Sequence, residues 1–185
     1  RPVDQAATRR ADAYMNRQYL DPVFLGKYPD EMRDIYGEVW PDFPAEDFAT
    51  IGEPTDFLGI NYYTRAVTRH DDADWPVRAS KVRQPGLHTD TDWEVHPESL
   101  TRMLLWIRER YGDRPLYITE NGAAYSDPAV AVESPLPDPL RVAYYREHLR
   151  AAYRAMELGV DLRGYFAWSL LDNFEWGCGF SKRLG

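Results

Sequence analysis

This sequence predicts a parallel α/β fold of the (β/α) barrel type, and three features carry the prediction. Short apolar runs alternate with amphipathic helical stretches, and right-handed crossovers then make the strands parallel. Polar and aromatic side chains follow the C-terminal ends of successive runs: Asn61 with Tyr63, then Glu120, then Trp168 with Glu175 and Trp176. Several strands feeding one face is the barrel pattern. A doubly wound sheet would more often use a Gly-rich turn at a helix start, and none is present.

In chain order, Ala6 to Tyr19 keeps a helical period and is expected to stop at Asp21-Pro22. The stretch up to Phe48 is rich in turn formers and aromatics and predicts an irregular connection. Asp56 to Tyr63 is a short strand whose apolar run ends in polar and aromatic groups. On it Tyr62 faces away from Tyr63 and is expected to pack. Thr64 to Glu94 is charged and interrupted by Trp75, Pro76, Pro85 and Gly86, which predicts a long loop. Pro97 to Tyr111 predicts a helix with Leu100, Met103, Leu104 and Ile107 on one face and Gly112 as its stop. Leu116 to Thr119 is the next strand, delivering Glu120 into a tight Asn121-Gly122 turn. After a further loop, Asp138-Pro139 starts a long helix. Its apolar face is read as Tyr145, His148, Leu149, Ala152, Tyr153 and Met156, and Gly159 ends it. Arg163 to Leu170 is the last strand.

Composition narrows the function classes. The 185 residues are 44% apolar and 14% aromatic, enough for a core. The 6 Trp and 13 Tyr suit a site that stacks on and hydrogen-bonds a polar ring, although core filling explains such residues equally. A net charge of -8 argues against nucleic acid or an anionic membrane surface as a partner. With Cys178 alone, no intrachain disulfide can form, and the residue lacks the His-Asn or Cys-x-x-Cys context of a nucleophile. No apolar run approaches the ~18 residues of a membrane span, and no signal peptide is visible, so the cytoplasm is the expected compartment. The chain begins on Arg1 without a Met, which weakens that expectation. No cluster suggests a metal, and no cofactor is expected.

Glu120 is the residue that most needs a reason. Glutamate is a poor strand former, and at the end of a core strand it would be partly desolvated. It is either aimed at a reaction or a solvated loop acid beside a turn. His148, on an apolar helix face, reads as a satisfied core histidine, and Trp106 as packing or lying on its helix surface.

Three segments decide between the readings of Glu120: Phe57 to Thr64 (FLGINYYT), Ile118 to Gly122 (ITENG), and Gly164 to Trp176 (GYFAWSLLDNFEW), closed by Ser181-Lys182-Arg183. In that order they resemble the family 1 glycoside hydrolases, the β-glucosidase family, and Phe24 to Pro29 and Arg141 to Leu149 are similar as well. The family fold is an eight-stranded barrel of more than twice this length. The resemblance therefore implies that residues 1–185 form the C-terminal portion of a single glycosidase barrel domain, without the N-terminal strands and the final helix.

The resemblance also implies roles. Retaining glycosidases use two carboxyl groups about 5 to 5.5 Å apart, one as nucleophile and one as acid and then base. Glu120 matches the nucleophile and Tyr63 the tyrosine that orients it, with Asn61 a neighbouring polar contact in the sugar subsite. Glu175 and Trp176 resemble the pair that binds the sugar hydroxyls, Trp168 the platform under the sugar ring, and Trp93 the entrance tryptophan. Trp40, Trp75 and Trp106 have no match.

The family's acid/base glutamate lies in an Asn-Glu-Pro motif on an earlier strand, and that tripeptide is absent; Gly52-Glu53-Pro54 precedes a strand and is a poor substitute. The expected activity is retaining hydrolysis of β-linked glucosides and related glycosides, complete only with the N-terminal part of the same barrel as partner. The chain alone is expected to be inactive. The alternative, favoured if the 185 residues are a whole gene product, is a non-catalytic carbohydrate-binding or interaction half-barrel. A 6-phospho-β-glycosidase is disfavoured by Glu175, since a phosphate site needs neutral or basic groups there.

Overall fold

The computed structural model describes residues 1–126 and 136–185. Its helices are α1 (Pro2–Asp12), α2 (Gln18–Leu25), α3 (Glu31–Tyr36), α4 (Ala45–Ile51), α5 (Pro97–Tyr111) and α6 (Pro139–Glu157). Its strands are β1 (Leu58–Asn61), β2 (Thr68–His70), β3 (Ala79–Lys81), β4 (Leu116–Asn121) and β5 (Leu162–Ala167). A π-helical stretch (Ala13–Arg17) joins α1 to α2, and single 3-10 turns occupy Gly37–Val39 and Trp176–Cys178. The chain separates into two units, residues 1–55 with 66–84, and residues 56–65 with 85–185.

In the first unit, the helix predicted from Ala6 begins at Pro2 and does not stop at Asp21-Pro22. Pro22 lies inside α2, which runs to Gly26 at φ +66°. The proline ring's clash falls on the carbonyl four residues back, Gln18, where the π stretch has just ended and the hydrogen-bond ladder is already irregular. Buried Arg17 holds this junction, donating to Asp12 at 2.7 Å and to the Arg9 carbonyl at 2.9 Å, and pairing with Glu31 at 3.0 Å.

The connection expected to be irregular contains α3 and α4 instead. Helices of six and seven residues do not stand alone. Aromatic packing supports them: Trp40 stacks on Tyr36 at 5.4 Å, and Tyr28 contacts Trp40, Phe43 and Phe48 at centroid distances of 5.3, 4.5 and 5.8 Å. The predicted long loop from Thr64 to Glu94 is corrected too, because β2 and β3 form an antiparallel hairpin pairing Thr68 with Lys81 and His70 with Ala79. The Asp4 carboxylate accepts the His70 N–H at 3.1 Å and ties the hairpin to α1, a long-range contact that a loop prediction does not see.

The second unit is built on a three-stranded parallel sheet in the order β1-β4-β5, as the alternation of elements predicts. Ile60, Leu116 and Ile118 are buried, as are Leu100, Leu104 and Ile107 of α5. Helix α5 has the predicted bounds. Helix α6 starts as predicted, with Asp138 accepting the Arg141 N–H at 3.2 Å and Pro139 in the first turn, where a missing N–H costs nothing. Its buried face is the predicted one only in part, with His148 and Ala152 buried as expected. Arg141, Tyr144, His148, Ala151, Ala152 and Ala155 are buried, whereas Leu149, Tyr153 and Met156 are exposed. The sequence reading favoured bulky residues, but the small alanines line the side that packs on α5, where Thr101 donates to the Ala151 carbonyl at 2.7 Å. The middle of the loop predicted before α6, residues 127–135, lies outside the described residues. No helix among the described residues is long and apolar enough to cross a membrane.

Candidate active site

The alternation of a strand decides which residues of β1 face where. Ile60 and Tyr62 are buried, and the Tyr62 hydroxyl donates to the His96 carbonyl at 2.9 Å, a packing role as expected. Asn61 and Tyr63 take the other face. Across from them, Thr119 donates to Asn61 Oδ1 at 2.8 Å and Tyr63 Oη donates to Glu120 Oε2 at 2.6 Å.

Thr119 and Glu120 are consecutive, so an ordinary pleat would send them to opposite faces. The sheet is irregular here. Ile60 pairs with Ile118 but Asn61 with Glu120, and on the other side Ile118 pairs with Tyr165 and Asn121 with Ala167. The extra residue in β4 lets both side chains reach the same face, the way bulges re-aim side chains. Gly59 makes room, since a Cβ there would lie 2.9 Å from Thr119 Cγ2.

Glu120 therefore sits inside β4, which extends to Asn121 beyond the predicted end at Thr119. The Asn-Gly pair is not the predicted tight turn. Gly122 has no left-handed backbone; a Cβ on it would overlap the Trp168 carbonyl oxygen and lie 2.8 Å from its carbon, so close passage of β5 is what requires a glycine.

Tyr63 is half-buried, and burial pushes its hydroxyl up in pKa, reinforced by the hydrogen bond and charge of Glu120 and by the charge of Glu175. It thus remains a proton donor to the carboxylate. Trp93 packs on the Tyr63 ring at 4.8 Å. Its segment is fastened by Arg65, whose guanidinium makes two parallel 2.9 Å bonds to Glu94.

The third part of the site follows β5. Trp168 Nε1 and Asn173 Nδ2 both donate to Glu175 Oε1, at 3.1 and 2.6 Å. One carboxylate oxygen is thereby occupied and aimed. Trp176, the next residue after Glu175, is 90% exposed. Trp40 belongs to the aromatic cluster of the first unit, and Trp106 packs edge-on against Tyr111 at 5.6 Å. His148 is buried but half satisfied: Nδ1 bonds to the Tyr144 carbonyl at 2.9 Å, and Nε2 has no partner among the described residues. Cys178 is exposed. Among the described residues no group of His, Cys, Asp or Glu is arranged to hold a metal.

Sequence reasoning passed over the residues that hold the site in place. Arg141 is buried and donates to the Ala123 carbonyl at 3.3 Å and the Tyr125 carbonyl at 2.8 Å, pinning the chain just after Glu120. Its charge at a helix start gave no sign of this. Asn121, read as a turn residue, is fully buried and bonded to Tyr62, Tyr144 and Tyr165.

The sequence model of the family described as "Glycosyl hydrolase family 1" matches residues 1–185. The bifunctional β-D-glucosidase/β-D-fucosidase of Bifidobacterium breve is 39% identical over 199 residues, which cover 98% of this chain and 43% of that protein. A 1,4-β-D-glucan glucohydrolase of Thermotoga neapolitana is 40% identical over 167 residues, 90% of this chain and 39% of that one. Among solved structures, the AHE enzyme from Alicyclobacillus herbarius superposes with a TM-score of 0.91 at 41% identity, over 100% of this chain and 41% of its own. A Thermotoga maritima family 1 glycoside hydrolase complexed with a cyclophellitol analogue gives 0.91 at 37% identity, with the same coverage of 100% and 41%. The chain thus spans about two fifths of the length of these relatives, and its parallel sheet and helices are part of a (β/α) barrel.

Proposed function

The chain belongs to glycosyl hydrolase family 1, and on that premise we propose that it is the C-terminal portion of a retaining β-glycosidase acting on β-linked glucosides and related glycosides. The observation that carries the reading is the 2.6 Å hydrogen bond from Tyr63 Oη to Glu120 Oε2, made where β1 and β4 end together. Tyr63 occupies one oxygen of the carboxylate and orients the other. Glu120 attacks the anomeric carbon, forming a glycosyl ester as the bond to the leaving oxygen breaks. A second carboxyl group, supplied by an Asn-Glu-Pro segment in the N-terminal part of the barrel, gives its proton to that oxygen and then activates water to release the sugar. No cofactor enters the reaction.

Glu175 and Trp168 hold the sugar in this reading. The indole N–H is committed to Glu175 Oε1, so Trp168 offers its ring face and Glu175 its remaining oxygen to hydroxyls. Trp93, beside Tyr63, contacts the aglycone, and Asn61 a sugar hydroxyl. Trp176 joins them only if its exposed ring turns towards the sugar. The glucoside names of the relatives support this substrate class.

The test is Glu120→Gln in the complete enzyme, which removes the attacking carboxylate and lowers kcat/KM for an aryl β-glucoside by several orders of magnitude with little change in folding. A 2-deoxy-2-fluoro glucoside is expected to label Glu120. An adduct on any other residue refutes the assignment.

A further inference from the structure

Asn121 follows Glu120 directly and is fully buried. Its amide nitrogen donates to the Tyr62 carbonyl at 2.6 Å and to the Tyr144 hydroxyl at 3.0 Å, and its amide oxygen accepts from the Tyr165 hydroxyl. The Tyr144 hydroxyl in turn donates to the Tyr63 carbonyl at 3.3 Å. Chemistry fixes the direction of each bond. Backbone carbonyls only accept, so Nδ2 faces Tyr62, Tyr144 commits its proton to Tyr63, and Oδ1 is left for Tyr165. Burial raises the pKa of both Tyr144 and Tyr165, which keeps their donor protons in place. The Asn121 carbonyl also accepts the Trp168 N–H at 2.9 Å, so this residue ties β1, α6 and the end of β5 together.

The two carbonyls so held belong to the peptide groups on either side of the Tyr63 Cα. Fixing both peptide planes fixes the direction in which the Tyr63 side chain leaves the backbone. Its hydroxyl lies at the far end of a long rigid ring, where a small backbone rotation becomes a large displacement. We propose that Asn121, acting with Tyr144, is the positioning residue that sets the Tyr63–Glu120 hydrogen bond. The assignment deepens the proposed nucleophile reading and rests on it. Both N–H donors of the Asn121 amide are used and its oxygen accepts from Tyr165, so removing one of these bonds leaves a buried group unpaired and loosens the arrangement.

Two substitutions test it in the complete enzyme. Asn121→Asp keeps the shape but leaves one side-chain donor at most. Tyr144→Phe removes the bond to the Tyr63 carbonyl while keeping the ring that stacks on His148 at 3.9 Å. Both are expected to lower kcat/KM for an aryl β-glucoside, Asn121→Asp by about 10²-fold, the effect of an ångström-scale misplacement. The inhibition constant of glucose stays unchanged, because Glu175 and Trp168 are untouched. In a Tyr63→Phe background Tyr144→Phe loses its effect, since it acts through the Tyr63 hydroxyl. The Tyr63 hydroxyl proton, identified in NMR spectra by its loss in Tyr63→Phe, moves upfield in both variants whether or not the enzyme turns over. If the wild-type enzyme cleaves no glucoside but this proton still responds, the functional reading falls and the positioning role stands. Losses that add to that of Tyr63→Phe, with the proton unmoved, overturn the proposal.

Discussion

At the scale of single residues, the site pairs each polar group with a partner that aims it. Tyr63 aims Glu120, Thr119 holds Asn61, and Trp168 with Asn173 holds Glu175. Glu175→Ala removes the proposed sugar contact and also leaves the Trp168 indole N–H without its acceptor. It is expected to lower kcat as well as raise KM for glucosides, because contacts to remote hydroxyls are partly realised only in the transition state. Trp106→Phe alters a ring that packs on Tyr111 and is expected to leave kinetics unchanged. Steady-state kinetics on the two variants decide the matter, and equal effects would refute the subsite assignment. Trp176 could be named from its motif, but its exposure could not, because nothing local to the FEW tripeptide specifies what the ring meets.

At the scale of elements, β4 depends on its register shift beyond Ile118 and on the close approach that Gly122 allows. Gly122→Ala would drive a methyl group into the Trp168 carbonyl, a backbone atom that cannot rotate aside. The end of β5 would have to move, and with it Trp168. Urea unfolding is expected to show a loss of about 3 kcal/mol, at the upper end of ordinary overpacking, with an accompanying loss of activity; an unchanged midpoint would show that β5 can yield. Helix α6 carries a pH dependence. Burial holds the His148 imidazole below its ordinary pKa, opposed by the bond to the Tyr144 carbonyl. The unfolded chain therefore takes up a proton that the fold refuses. Stability is full above about pH 6.5 and falls as the pH drops through that value. Urea midpoints compared at about pH 7 and pH 5 are expected to converge in His148→Gln, and an unchanged gap would place the titrating group elsewhere.

At the scale of the molecule, the parallel sheet ends on β1 and β5, each paired on one side only among the described residues, and Leu170, Leu171, Phe174 and Phe180 are exposed beyond it. The chain alone is expected to self-associate and to lack β-glucosidase activity, because without a second carboxyl group the leaving oxygen departs unprotonated, a loss of about 10²–10⁴-fold. Size-exclusion chromatography and an aryl β-glucoside assay, with and without an added segment carrying the Asn-Glu-Pro motif, measure both. A monomer of 21.5 kDa that turns over substrate unaided would overturn the expectation. The sequence by itself determined the parallel strands, the bounds of α5 and the start of α6, because periodicity and end signals are written within a few consecutive residues. Only the tertiary structure decided that the buried face of α6 is its alanine side, that short helices and a hairpin replace loops, and that Gly122 serves a close crossing. The partners of Asn121 stand 23, 44 and 59 positions away, and a buried amide is given its role by whichever distant groups the fold brings to it.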